Sequence, residues 1–212
     1  MFTEVCPVCL GLRAAPFLSV EGRDYWRCAD CLATFLDRAS LPDREAETAR
    51  YHQHRNSADD PGYIAHLSRL AGPMLERLAP GSVGLDYGCG PSDALAGLFT
   101  AAGHTVRCYD PLFQPDRSPL DQAYDFIALA EVAEHFHDPH SEFDRLARLL
   151  QPGGLLGVMT RLLDDDAGFA SWRYRRDFTH VVFYKRRTFE SLAARHGWAA
   201  DFPVPDVALM RS

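Results

Sequence analysis

At 212 residues, 47% of them apolar, the chain can hold one full α/β domain and a small appendage, and no internal repeat is apparent. A net charge of -7 and an isoelectric point near 5.7 argue against sequence-independent nucleic-acid binding, which needs a broad basic face. There is no signal peptide and no apolar run long enough to span a bilayer, so a reducing cytoplasm is the expected compartment.

The first segment, 1–40, carries Cys6-Pro7-Val8-Cys9 and Cys28-Ala29-Asp30-Cys31, two CxxC knuckles with 18 residues between them. That spacing suits a four-cysteine zinc ribbon. Four thiolates complete a tetrahedral shell with no open position, so a zinc ion on Cys6, Cys9, Cys28 and Cys31 is structural. Disulfides are the alternative, but a reducing compartment favours zinc. A segment of about 40 residues cannot bury enough apolar surface to fold without such a staple. Met1 to Ser40 holds four arginines against five carboxylates, so it is no basic RNA hook. It reads as a lid, a substrate-side wall or a protein-docking surface.

Residues 41–61 form a charged linker with Tyr51, His52, His54, Arg55 and Asn56. His52 and His54 at i, i+2 do not share a helix face, which argues against a second metal site. A helix capping a cofactor pocket is expected instead, with Tyr51 and Tyr63 closing over it. Asp60-Pro61-Gly62 then starts a helix, Tyr63 to Leu78, whose Ile64, Leu67, Leu70, Leu75 and Leu78 can face a sheet.

The domain over 62–212 opens with the apolar run Val83-Gly84-Leu85 and the glycine turn Asp86-Tyr87-Gly88-Cys89-Gly90-Pro91-Ser92. Bare backbone N–H groups in such a turn can approach a ligand closely. In a dinucleotide fingerprint the third glycine would stand where Asp93 stands, and a carboxylate there would repel a pyrophosphate. Asp86 instead suits a positively charged ligand such as S-adenosylmethionine. A purely structural strand-to-helix turn is the alternative. Ala94 to Ala102 reads as a helix ended by Gly103, and His104 to Tyr109 as a strand ending in Asp110. An acid there is placed to accept hydrogen bonds from ribose hydroxyls, or is a turn aspartate before Pro111.

Tyr124 to Ala130 reads as a buried strand, followed by Glu131-Val132-Ala133-Glu134-His135, a helix from about Ser141 to Leu150, Gln151-Pro152-Gly153-Gly154, and a strand from Leu155 to Thr160. The alternation predicts an open α/β sheet with ligands at the carboxyl ends of its strands. Thr188 to His196 reads as a helix ended by Gly197, and Trp198 to Arg211 as terminal strands.

From about Gly62 to Ala200 this order of motifs resembles the class I S-adenosylmethionine-dependent methyltransferases: the DxGxG turn, Asp110, the EVxEHF segment at Glu131 to Phe136, and LxPGG at Leu150 to Gly154. The resemblance implies a Rossmann-like α/β sheet with S-adenosylmethionine as cofactor. Asp86, Gly88 and Gly90 would line the methionine end, Asp110 the ribose, and Ala130 with Glu131 the sulfonium. Tyr63, Tyr87, Cys89 and Pro111 are further expected cofactor contacts. Ser92 stands where the family often has a third glycine, and Asp116 is the candidate for the acid beside the adenine.

The window Trp172 to Arg187 holds six Lys or Arg in an otherwise acidic chain. With the early YHxHxN segment, its WxYRRDxTHVxFY pattern resembles a group of small bacterial zinc-ribbon methyltransferases. In a class I fold this loop overhangs the transferred methyl group. Trp172, Tyr174, Arg175, Arg176 and Tyr184 are therefore expected to bind substrate, although a solvated charged face over aromatic core positions is the alternative. Methyl transfer needs nucleophile, methyl and sulfur in line, and a neutral histidine can remove a proton from the acceptor. His135 and His180 are the candidates, with Asp177 orienting His180. Clustered arginines favour an anionic small molecule such as a carboxylate or phosphate ester. The alternatives are a methyltransferase acting on a protein or RNA with the ribbon as docking module, and a binding protein that keeps the cofactor without catalysis. Nothing in the sequence indicates the oligomeric state.

Overall fold

The computed structural model describes residues 4–53 and 57–212; His54, Arg55 and Asn56 of the linker lie outside the described residues. The strands are β1 (Ala14–Val20), β2 (Arg23–Cys28), β3 (Thr34–Leu36), β4 (Val83–Tyr87), β5 (Thr105–Tyr109), β6 (Tyr124–Ala130), β7 (Leu150–Met159), β8 (Val182–Phe183), β9 (Ala199–Asp201) and β10 (Val207–Arg211). The helices are α1 (Arg44–Tyr51), α2 (Pro61–Leu75), α3 (Ala94–Ala101), α4 (Pro139–Leu149) and α5 (Arg186–Arg195). None of them is long and apolar enough to cross a membrane.

Six strands form the main sheet in the order β5-β4-β6-β7-β10-β9, parallel from β5 to β7 and antiparallel beyond. Phe126, Ile127, Ala128 and Leu129 of β6 are all buried, as a parallel strand covered on both faces requires. One face packs on Leu67, Leu70 and Met74 of α2 and Phe99 of α3. The other packs on Phe143 and Leu146 of α4 and Phe189 and Leu192 of α5. The chain leaves β4 to pair β5 on one side and returns to pair β6 on the other. A crevice opens at such a reversal, beyond the carboxyl ends of β4 and β6.

Local chemistry moves the predicted boundaries only slightly. Helix α2 begins at Pro61 because the Asp60 side chain accepts from Gly62 N, and it ends at Leu75 where Arg77 N turns back to Met74 O. Helix α4 begins two residues before Ser141, with Asp138 as cap and Pro139 in its first turn. Strand β7 already starts at Leu150, so the Pro-Gly-Gly segment lies within it.

The cysteine-bearing segment builds a second sheet, β1-β2-β3-β8, whose last strand comes from the far end of the chain. Thr34 pairs with Phe183 and Phe35 with Val182. Cys6, Val8, Cys28 and Cys31 share one apolar core with Phe143, Tyr184 and Phe189, so the ribbon is packed continuously onto the main domain.

Candidate functional site

The crevice at the strand ends contains a cavity of about 830 Å³. Gly88 and Gly90 turn the chain there at φ 81° and 65°, and a Cβ on Gly88 would meet Val132 Cγ2 at 2.6 Å. Asp110 braces the turn. Its Oδ2 accepts from Gly90 N at 3.0 Å, while Oδ1 accepts from Leu112 N and Phe113 N at 2.8 and 2.9 Å. Behind the turn Asp86 is 2% exposed, and its Oδ2 has no hydrogen-bond partner. Burial pushes its carboxyl well above the usual carboxylate range. Across the opening Glu131 has φ 55°, an uncommon conformation for a side chain of its size, which turns it out of β6 into the cavity.

A second cavity of about 870 Å³ adjoins the first, and His66, Glu131, Asp177 and His180 line both. Arg161, Arg173 and Arg176 line only the second, and none of the three has a carboxylate partner among the described residues. His66 Nε2 lies 3.3 Å from Glu131 Oε1. Burial would raise the Glu131 carboxyl, but His66 and the Tyr174 hydroxyl hold it below its ordinary value. Asp177 is likewise held low against its own burial, by Arg50 at 2.6 Å and by Thr179.

Both predicted histidines reach this junction. Their Nδ1 atoms face carbonyl oxygens, His135 toward Thr179 O at 3.0 Å and His180 toward Tyr174 O at 2.7 Å. A carbonyl only accepts, so Nδ1 carries the proton and Nε2 keeps the lone pair. Burial lowers the His180 pKa, which keeps that ring neutral near pH 7.

A family model described as "Methyltransferase domain" matches residues 63–201, spanning the glycine turn, Asp110 and the Glu131 segment just described. The chain belongs to the methyltransferase-domain family. Its fold is the Rossmann-like class I methyltransferase sheet, similar to that of 1,6-didemethyltoxoflavin-N1-methyltransferase from Burkholderia thailandensis at TM-score 0.56 and 15% identity over 94% of this chain and 99% of that one. A chain from the complex that contains the Haloferax volcanii Trm112 methyltransferase activator is similar at TM-score 0.53 and 14% identity, over 81% and 97% of the two chains. At these identities the likeness is one of fold. No curated protein matches the sequence at a significant level.

Within this methyltransferase the predicted cofactor contacts divide into two groups. Tyr63, Tyr87, Gly88 and Gly90 line the first cavity, as do Asp110, Pro111, Ala130 and Glu131. Asp86 and Cys89 sit behind it, the latter buried with its Sγ toward Gly90 O. Asp116, the candidate beside the adenine, lies outside the cavity lining, its carboxylate accepting from Ser118 N and Oγ on an exposed turn.

The basic window divides more sharply. Arg176 and Tyr174 line the second cavity. Arg175 does not: it is 1% exposed, and its Nη2 donates to Glu21 and to Ala170 O. Tyr184 is fully buried with its hydroxyl on Ala133 O, and Trp172 packs against Tyr174 and Phe183 outside both cavities. Nor does Asp177 orient the His180 ring, since Tyr174 O holds Nδ1 and the Asp177 carboxylate is spent on Arg50 and Thr179. His66 and Arg161 were not foreseen. His66 lies at i+3 from Tyr63 on α2, and that shared helix face was the available signal.

The four ribbon cysteines converge with Cys6 Sγ to Cys31 Sγ and Cys9 Sγ to Cys28 Sγ both at 3.6 Å, far beyond a disulfide bond. A zinc tetrahedron with bonds of about 2.3 Å has edges of about 3.8 Å, so the donor set fits zinc. Leu10 and Leu32 follow the two knuckles at φ 58° and 63°, the left-handed step that folds each CxxC loop around its thiolates.

Proposed function

We propose that the chain is an S-adenosylmethionine-dependent methyltransferase acting on a small anionic molecule, with a structural zinc in its ribbon. The observation that carries this reading is the pair of cavities meeting at His66, Glu131, Asp177 and His180, one built around a glycine turn and the other walled by arginines. The buried, unpartnered Asp86 Oδ2 fits a ligand that brings positive charge to the methionine end. Asp110 keeps acceptor capacity beyond its three backbone contacts for a ribose hydroxyl.

Bound S-adenosylmethionine supplies an electrophilic methyl carbon on a sulfonium. The chain supplies position: Arg161, Arg173 and Arg176 hold the acceptor's anionic group, which brings its nucleophilic atom to the junction. The Nε2 lone pairs of His135 and His180 accept the proton that a hydroxyl or phenol gives up. Glu131, turned into the opening by its backbone, places negative charge where the cofactor is cationic.

S-Adenosylhomocysteine should bind the wild-type protein with on the order of micromolar affinity in calorimetry, near -8 kcal/mol. Asp110→Ala strips three backbone donors of a charged acceptor and should weaken binding at least tenfold while thermal unfolding remains cooperative. No binding at about 1 mM ligand would sink the cofactor assignment.

The acceptor side is tested separately with a panel of aryl and alkyl carboxylates, phosphate esters and their neutral counterparts. The double change Arg173→Ala, Arg176→Ala should raise KM for the anionic members at least about 100-fold, each guanidinium contact being worth about 1.5–3 kcal/mol. S-Adenosylhomocysteine affinity should stay within about threefold, because neither arginine lines the first cavity. Equal turnover of neutral and anionic acceptors by wild type would refute the anionic assignment.

A further inference from the structure

We propose that Glu134, His135 and His180 form a binding site for a divalent transition-metal ion at the junction of the two cavities, distinct from the cysteine site. One ligand atom from each of the three lies within 4.8 Å of the others. Donors around an ion with bonds of about 2.0–2.2 Å stand about 3.0–3.8 Å apart, so the cluster has to tighten by up to about an ångström to close on an ion.

Three features point to a ligand rather than to a satisfied polar core. Glu134 is 0% exposed, and its Oε2 has no hydrogen-bond partner. A buried carboxylate oxygen without a partner leaves a place where an ion can stand in for a hydrogen-bond donor. The Tyr174 hydroxyl lies 2.5 Å from Glu134 Oε1 and 2.9 Å from Glu131 Oε2, yet it has one proton to give. That one proton is shared between the two acids, and His66 stands beside Glu131 rather than Glu134. Finally, each imidazole has its Nδ1 on a backbone carbonyl, the outer-shell bond that fixes a metal-ligating histidine with Nε2 turned inward. For His135 the inward direction is seen directly, with Nε2 at 3.9 Å from Glu134 Oε1.

The scaffold holds these donors rigidly. Glu134 and His135 belong to a single 3-10 turn pinned at Ala133 O by the Tyr184 hydroxyl and at Glu134 O by Val181 N. His180 immediately precedes Val181, so the same contact sets its distance from the turn. The donor set of two imidazoles and one carboxylate suits zinc, iron, cobalt, nickel or manganese and leaves coordination positions open. His180 lines both cavities, so an open position faces the acceptor. An acceptor with adjacent oxygens, such as a hydroxy acid or a catechol, would chelate the ion, and coordination would release its hydroxyl proton to solvent. This inference rests on the methyltransferase reading and replaces proton acceptance by the imidazoles with coordination.

The test uses full-length protein with its ribbon zinc in place and Co²⁺ as probe. Wild type should bind one further Co²⁺ per chain, with d–d absorption but without the near-ultraviolet thiolate charge-transfer band that exchange into the cysteine site would give. Glu134→Gln and His180→Ala should each weaken this binding at least tenfold, with unfolding midpoints measured to show that both variants are folded. No additional Co²⁺ bound at about 1 mM, or equal binding by both folded variants, would overturn the proposal. S-Adenosylhomocysteine calorimetry on the same sample separates the two readings: nucleoside binding without the second Co²⁺ sinks only the metal site, and Co²⁺ binding without nucleoside binding sinks only the enzyme.

Discussion

Stripping the ribbon of its metal with a chelator is expected to lower the unfolding midpoint of the whole chain by about 10 °C, and Cys6→Ser should do the same without chelator. Structural zinc contributes about 10–16 kcal/mol to folding of isolated zinc peptides. Part of that is retained here by protein contacts, so a loss of about 3–5 kcal/mol is the reasonable share, at about 2–4 °C per kcal/mol for a chain of this size. The loss spreads because the ribbon is not autonomous. Thr188 Oγ1 donates to Cys31 O in the buried interior, His140 N donates to Pro7 O, and β3 holds β8 through Thr34 and Phe35. Arg23 also donates to Phe178 O, and Glu21 holds Arg175, so the acceptor wall leans on the ribbon. Acceptor binding should therefore fail before S-adenosylhomocysteine binding does. A metal-free purified protein with an unchanged midpoint would remove the zinc assignment.

Asp86→Asn is expected to make the ligand-free protein more stable and the cofactor site much weaker. A raised carboxyl binds its proton more tightly folded than unfolded, so over the pH range from the ordinary carboxylate pKa, about 3.9, up to the folded value, unfolding releases a proton and stability falls as pH rises. The amide removes that penalty. A higher unfolding midpoint at pH 7 is expected, with a stability-versus-pH profile flatter than that of wild type. Asp86 stands behind the cavity, so it acts on the ligand's cationic methionine end through charge rather than direct contact, and its loss should weaken S-adenosylmethionine about tenfold. Stability set aside for a ligand is a familiar trade at binding sites. A variant that is less stable at pH 7, or that binds with wild-type affinity, contradicts this account.

Much of this protein is local chemistry and therefore legible in one dimension. The glycine turn needs positive φ at Gly88 and Gly90, the capping acid Asp60 sits beside the backbone donor it satisfies, and the apolar run of β6 announces burial on both faces. The spacing of the CxxC pairs likewise announces the convergence of the four cysteines. The tertiary structure decided what each basic and aromatic residue after β7 does. Arg175 is fixed by Glu21, 154 residues away, and Arg176 beside it faces a cavity, a difference that no residue pattern contains. The same holds for β8 completing the ribbon sheet, for His66 meeting Glu131, and for Glu134, His135 and His180 converging. Propensity and periodicity record only neighbours within a turn or two, whereas these pairings are set by which distant surfaces the packed core brings within reach.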